Sequence, residues 1–167
     1  MQNLNANGDF RTGLIVVQST PFCNIDCRYC YLPNRTSKKR LSLENVGTLF
    51  RNILSYPTIH DTVSVVWHAG EPMALPVDYY DRVFSIIEEV SPRELKVRQC
   101  FQTNGTLVNE SWCQLISKWG VQVGVSIDGP RYLNDLNRLD RAGRSTYERT
   151  IAGIRMLKTS GIPFHVI

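Results

Sequence analysis

Cys23, Cys27 and Cys30 stand in C-x3-C-x2-C spacing within Thr20-Pro21-Phe22-Cys23-Asn24-Ile25-Asp26-Cys27-Arg28-Tyr29-Cys30-Tyr31. Three thiolates this close can wrap one side of an iron–sulfur cube. They leave the fourth iron without a protein ligand, because cubes held wholly by protein take four cysteines. An iron with an open position can bind a small molecule and act on it. The competing reading is a structural zinc site, which wants four Cys or His ligands, usually in paired knuckles. Cys100 and Cys113 are too far apart to supply a second pair, and no histidine falls at knuckle spacing. A disulfide framework fits poorly with an odd count of 5 cysteines and no secretory context.

The elements around the triplet explain how it is positioned. Leu14 to Ser19 is a short apolar run that reads as a strand covered on both faces. Ser42 reads as a helix N-cap, with Leu41 and Val46 as a staple across it and Tyr56-Pro57 as the stop. Thr62 to Trp67 is a β-branched second strand, followed by a helix from Pro76 to just before Pro92. Its inward stripe is Val77, Tyr80, Val83, Phe84 and Ile87.

Leu95 to Gln102 reads as the third strand and Val121 to Ile127 as the fourth. Between them lies a helix capped by Asn109 and stopped by Gly120. After a polar loop, Ser145-Thr146-Tyr147-Glu148 reads as a capping box opening a helix that ends at Gly161, and Pro163 to Ile167 begins a fifth strand.

Strand and helix in alternation predict βαβ units and a parallel sheet. The unusual residues then follow the carboxyl ends of strands: Cys23–Cys30, Ala69–Pro72, Thr103–Gly105 and Ser126–Gly129. In a parallel barrel those ends share one face, where sites are built. The pattern predicts one site.

The cysteine spacing, with Tyr29 just before the last cysteine, resembles the radical S-adenosylmethionine (SAM) superfamily. Within it the chain resembles the peptide- and protein-modifying branch that carries a C-terminal SPASM domain. The nearest match is the cyclophane-forming maturases of glycine-rich-repeat precursors, with anaerobic sulfatase maturases more distant.

The resemblance implies a [4Fe-4S] cluster on Cys23, Cys27 and Cys30 whose free iron binds SAM. It also implies reductive cleavage of SAM to a 5′-deoxyadenosyl radical, a peptide or protein substrate, and an electron donor of flavodoxin or ferredoxin type. The implied fold is α/β: a partial (β/α)6, TIM-like barrel with about four β/α units and the start of a fifth strand. Residues 1–12 form a polar segment and 13–167 a core domain incomplete at its C-terminus. A sheet cut there leaves an edge strand and apolar faces uncovered, which predicts the N-terminal part of a longer enzyme or a truncated gene product.

The same resemblance assigns SAM contacts. Ala69-Gly70-Glu71-Pro72 is similar to the family's Gly-Gly-Glu-Pro, with alanine in the first position, and lines the SAM amino group through backbone carbonyls. Gln102-Thr103-Asn104-Gly105 matches Gln-Thr-Asn-Gly and sends Asn104 to the SAM side. Ser126-Ile127-Asp128-Gly129-Pro130 matches a Ser-hydrophobic-Asp-Gly-Pro segment: Ser126 donates to the methionine carboxylate, and Asp128 accepts from ribose or substrate, or merely starts a turn. Arg138 stands where the family carries an arginine, but Asn134 replaces the histidine before it. Arg138 is expected to pair bidentately with a carboxylate, and Arg144 is a weaker candidate for the same role, with an exposed ion pair as the competing explanation for both. Tyr29 is a further cofactor contact. His68 reads as a loop neighbour, and Cys100 and Cys113 as buried small residues.

Composition bounds the rest. The 167 residues amount to about one domain, with 43% hydrophobic and 20% charged content. The net charge of +4 comes without basic stripes interleaved with aromatics, so nucleic acid is not an expected partner. The run Arg35 to Arg40 reads as a solvated loop that can attract an anionic leader peptide. Met1 to Arg11 lacks the apolar stretch of a signal peptide, and no run approaches a membrane span of about 20 residues. Free cysteines suit a reducing compartment, so a cytoplasmic protein without membrane partners is expected. The alternatives are formylglycine-forming sulfatase maturation and a non-catalytic cluster- or zinc-binding module.

Overall fold

The computed structural model describes residues 11–167, so most of the polar segment read at 1–12 lies outside the described residues. Five strands form one parallel sheet in sequential order: β1 (Thr12–Val17), β2 (Ile59–Trp67), β3 (Lys96–Thr103), β4 (Gln122–Val125) and β5 (Phe164–Val166). The helices are α1 (Leu43–Leu54), α2 (Val77–Val90), α3 (Glu110–Trp119), α4 (Arg131–Asn137) and α5 (Tyr147–Thr159), with a 3-10 turn at Pro72–Ala74. Sequential parallel strands joined by crossovers of one hand put the connecting helices on one side. This is the partial barrel expected.

Burial alternates along the strands accordingly. Val63, Val65 and Trp67 of β2, Gln99, Phe101 and Thr103 of β3, and Val123 and Val125 of β4 are sealed on the helix side. The core there is aromatic: Tyr80 of α2 meets Phe101 edge-on at 4.8 Å and Trp67 at 5.4 Å, and Phe101 meets Trp112 at 5.6 Å. The Trp67 indole N–H donates to Gln99 Oε1 at 2.9 Å, so this buried donor is satisfied.

The other side of the sheet is open, which corrects two expectations. Leu14 and Val16 of β1 are 58% and 57% exposed, so this strand is covered on one face only. Cys100 is half-buried on the open side beside Gln122, whereas Cys113 is buried in α3 as expected.

The caps at Ser42, Asn109 and Gly120 are present: Ser42 accepts from Asn45 N, Asn109 from Trp112 N, and Gly120 adopts φ 60°. The capping box at Ser145 does not form. Thr146 takes the cap position of α5, and its hydroxyl is spent on Arg138 O at 2.6 Å. β4 stops at Val125, and the loop read as polar contains α4. Arg35 is no freely solvated residue either: its guanidinium binds Asp26 at 2.7 Å. No helix among the described residues is long and apolar enough to cross a membrane.

Candidate cluster and cofactor site

Strands β1 to β4 each deliver the loop that follows them to the same end of the sheet. There Cys23, Cys27 and Cys30 line one cavity of about 210 Å3 together with Tyr29, Ala69, Gly70, Glu71, Asn104, Ser126 and Arg138. Of the residues expected at the site, Pro72 and Asp128 stand just outside it. Pro72 is buried in the 3-10 turn, and Asp128 sits behind Tyr29 and Arg138. His68 and Gln102 also line the cavity; sequence reasoning set the first aside and gave the second no role. A larger groove of about 640 Å3 lies at the opposite end, where β3 begins and α3 ends, and contains no cysteine.

The β2 loop is locked onto the cysteine loop. Gly70 has φ 85°, and a Cβ there would lie 2.1 Å from Thr20 O and 2.9 Å from Phe22 O, so only glycine fits. Glu71 N then donates to Phe22 O at 2.7 Å. Ala69 adopts φ 67°, a left-handed conformation that an alanine holds at a cost of about 1–2 kcal/mol. The family's glycine at this position has a physical reason that this chain overrides.

Glu71 ties the loop after β2 to the end of β3 rather than facing the cavity with a free carboxylate. It is 1% exposed; Oε1 accepts from Met73 N at 2.9 Å and Thr103 Oγ1 at 2.7 Å, and Oε2 accepts from Asn104 N at 2.8 Å. Burial raises its pKa, and these three hydrogen bonds oppose the rise. Asn104 continues the chain of contacts, donating to Asn24 Oδ1 at 2.9 Å and accepting from Thr106 N. Its side chain thus faces the cysteine loop. Helix α5 supports the same loop from behind: Thr150 Oγ1 donates to Asn104 O at 3.0 Å, and a Cβ on Gly153 would lie 2.0 Å from Gly105 O.

Ser126 Oγ accepts from Gln102 Nε2 at 2.8 Å, which leaves its own proton free for an acceptor in the cavity. Asp128 is already engaged. Its carboxylate accepts from Arg138 Nε at 2.6 Å and from the Tyr29 hydroxyl at 2.8 Å, with the Arg138 guanidinium 5.6 Å from the Tyr29 ring centre. The Arg138 pairing is partly buried and single rather than forked. Asn134, in the place of the family's histidine, is fully buried beside Asp128. Arg144 does not line the cavity and pairs with Asp140, its Nε and Nη2 both 2.9 Å from Oδ2, with its own side chain 78% exposed and the carboxylate buried.

The thiols suit a metal cluster. Burial pushes Cys23 up to about 11, with the Glu71 carboxylate adding to the rise, and burial also raises Cys27 against the pull of Arg138. A bound metal ion would reverse this shift, since a coordinating thiol gives up its proton. Among the described residues no three His, Cys, Asp or Glu side chains converge on a point that would hold one ion. All three thiols line the same cavity. Burial lowers the His68 pKa and favours a neutral imidazole.

Comparison with known proteins agrees with this arrangement. The chain is 39% identical over 160 residues to an uncharacterized protein, sll1766, of Synechocystis, covering 93% of this chain and 40% of that one. It is 31% identical to the serine-type anaerobic sulfatase-maturating enzyme of Klebsiella aerogenes, covering 88% of this chain and 37% of that enzyme. A solved structure described as native anSMEcpe with bound AdoMet (SAM) and Kp18Cys peptide superposes with a TM-score of 0.82 at 25% identity, covering 92% and 42%. The chain spans about two-fifths of the length of these relatives. The model of the radical SAM superfamily matches residues 17–167, a span that contains all three clustered cysteines and every loop of the cavity. This chain therefore belongs to the radical SAM superfamily.

Proposed function

We propose that this chain carries the radical-generating part of an enzyme that modifies a peptide or protein side chain, with Cys23, Cys27 and Cys30 holding a [4Fe-4S] cluster. Membership of the family implies that cluster and SAM as cofactors. When bound, they supply one-electron cleavage of the sulfonium and a carbon radical that takes hydrogen from a substrate.

The carrying observation is the convergence of three thiols, the Ala69-Gly70 turn and Ser126 on one cavity. Ser126 Oγ already accepts from Gln102, so its hydroxyl hydrogen would be free to hydrogen-bond the carboxylate of SAM. The Ala69-Gly70 turn lines the cavity, and its backbone carbonyls would receive the SAM amino group. Tyr29 and Arg138 form one wall of the cavity, and Asp128 acts through them by accepting a hydrogen bond from each.

Cyclophane-type crosslinking of a ribosomal precursor is the favoured modification, with an electron donor of flavodoxin or ferredoxin type. Formylglycine formation is the second reading, supported by the identity to the Klebsiella sulfatase-maturating enzyme.

Anaerobic reconstitution with iron and sulfide tests the proposal. The expected product is brown, absorbs near ~400 nm and releases 5′-deoxyadenosine from SAM on reduction. Alanine at any of the three cysteines abolishes both signals. A colourless protein with one bound zinc overturns the reading. Crosslinked peptide without an aldehyde separates cyclophane formation from a hydrazine-trapped aldehyde on a sulfatase peptide.

A further inference from the structure

Arg141 has no part in the proposed reaction, yet it closes the loop that carries the three cysteines. Cys23 N donates to Arg35 O at 3.0 Å, tying the start of that loop to its end. The Arg141 guanidinium covers the tie: Nε and Nη2 donate to Cys23 O at 3.1 and 2.8 Å, and Nη2 also donates to Arg35 O. Its guanidinium carbon lies 5.7 Å from the Phe22 ring centre.

Arg141 is itself held in place. Asp140 Oδ1 accepts from Ala142 N and Arg144 N, both at 2.9 Å, and Asp140 is bridged to Ile25. Next to that bridge, Asp26 N donates to Leu139 O at 2.7 Å and Arg28 N to Asn137 O at 3.0 Å. A loop closed at both ends in this way has few conformations left to lose when metal binds.

The charge of Arg141 is also distinctive. Three guanidinium groups touch the cysteine loop. Arg35 is paired with Asp26 at 2.7 Å and Arg138 with Asp128 at 2.6 Å. Among the described residues Arg141 has no carboxylate within ion-pair distance. Reduction adds one electron, and one negative charge, to a cluster. Net charge and hydrogen bonding around the ligands set its potential.

We propose that Arg141 is a positioning residue for the cluster, clasping the ends of the cysteine loop and, through its unneutralised charge, making the bound cluster easier to reduce. The inference rests on the reading that the three cysteines hold the cluster.

The test uses the full chain and its Arg141→Lys, Arg141→Gln and Arg144→Gln variants, each reconstituted anaerobically. Iron and sulfide are counted, and one-electron reduction by a graded low-potential titrant is followed by electron paramagnetic resonance. The Arg141→Gln chain is expected to need a more negative poise, with the reduced-to-oxidised ratio at a fixed poise falling roughly threefold to tenfold. Arg141→Lys keeps the charge and stays near the parent, and so does Arg144→Gln. A Gln variant with full iron that reduces at the parental potential overturns the proposal.

Should the Gln variant take up no iron, the Lys variant decides. A lysine ammonium has donors for both carbonyls but lacks the rigid planar fork that grips them together, so this variant should lose iron to a chelator severalfold faster than the parent. Loss at the parental rate overturns the proposal. A parent chain that takes up no iron sinks the cluster reading itself, and the iron count separates that failure from one confined to Arg141.

Discussion

The Glu71 carboxylate accepts the Thr103 hydroxyl at 2.7 Å, with both side chains sealed from solvent. The bond joins the loop after β2 to the end of β3. With the bonds from Met73 N and Asn104 N, it makes one carboxylate the shared acceptor of three donors. Glu71→Gln keeps the shape but turns an amide N–H2 toward one of those donors. The expected loss is about 1–3 kcal/mol, the range for a buried hydrogen-bonding group left unmatched. The urea midpoint of the variant against the parent checks it; an unchanged midpoint would show that the carboxylate is dispensable to the loop junction.

Cys23 gives the cluster-free chain a pH signature. Its folded pKa of about 11 lies above the ordinary thiol value of 9.0, so the folded state keeps a proton that the unfolded state releases. The contribution is complete below 9.0 and is lost as pH rises toward about 11. Stability of the apo chain should therefore decline over that window. Cys23→Ala should make the decline shallower without abolishing it, since Cys27 and Tyr79 are shifted in the same direction. Urea midpoints of both chains across the window decide the matter.

Ala69 and Gly70 make opposite predictions from adjacent positions. Ala69→Gly removes left-handed strain but adds freedom to the unfolded chain, so a net gain of up to about 1 kcal/mol is expected. Gly70→Ala drives a methyl into Thr20 O at 2.1 Å, against backbone that cannot swing aside. The expected loss is about 3 kcal/mol or more, from overpacking and φ strain together. Thermal midpoints moving in the same direction for both variants would contradict the backbone geometry.

Tyr29, Asp128 and Arg138 should behave as one unit. Asp128→Asn leaves a partly buried guanidinium without its charge partner, and Tyr29→Phe removes the second hydrogen bond to the same carboxylate. In a double-mutant cycle the two changes should couple by about 0.5–2 kcal/mol. Additive losses would mean that the hydroxyl contact contributes nothing.

The readable parts of this chain are those where chemistry and spacing coincide. The cysteine triplet, the Gly70 turn and the β-branched strand at 62–67 each carry a local reason for their conformation, and all stand where expected. Helix α4 escaped notice because Asn134, Asp135 and Asn137 favour turns, while its anchoring comes from tertiary contacts made by Asn134 and Arg138. The Ser145 capping pattern misled for a related reason: the competing hydroxyl of Thr146 had a distant carbonyl to bind. Arg141 was invisible because a side chain that grips main-chain oxygen leaves no motif. Cys100 was misplaced because a strand pattern does not say which face a neighbouring element covers.

Gly153 shows how far from the cavity its dimensions are set. It sits in α5 with room for nothing larger than hydrogen against Gly105 O, one turn of helix beyond the Thr150 hydroxyl that holds Asn104. The helix therefore works as a gauge: the clearance at one residue fixes how deeply the Asn104 loop can retreat from the cysteines. A single methyl added there would push that loop forward without any atom of the newcomer entering the cavity. A substitution at a helix position that lines none of the cavity would thus alter the width of the chamber.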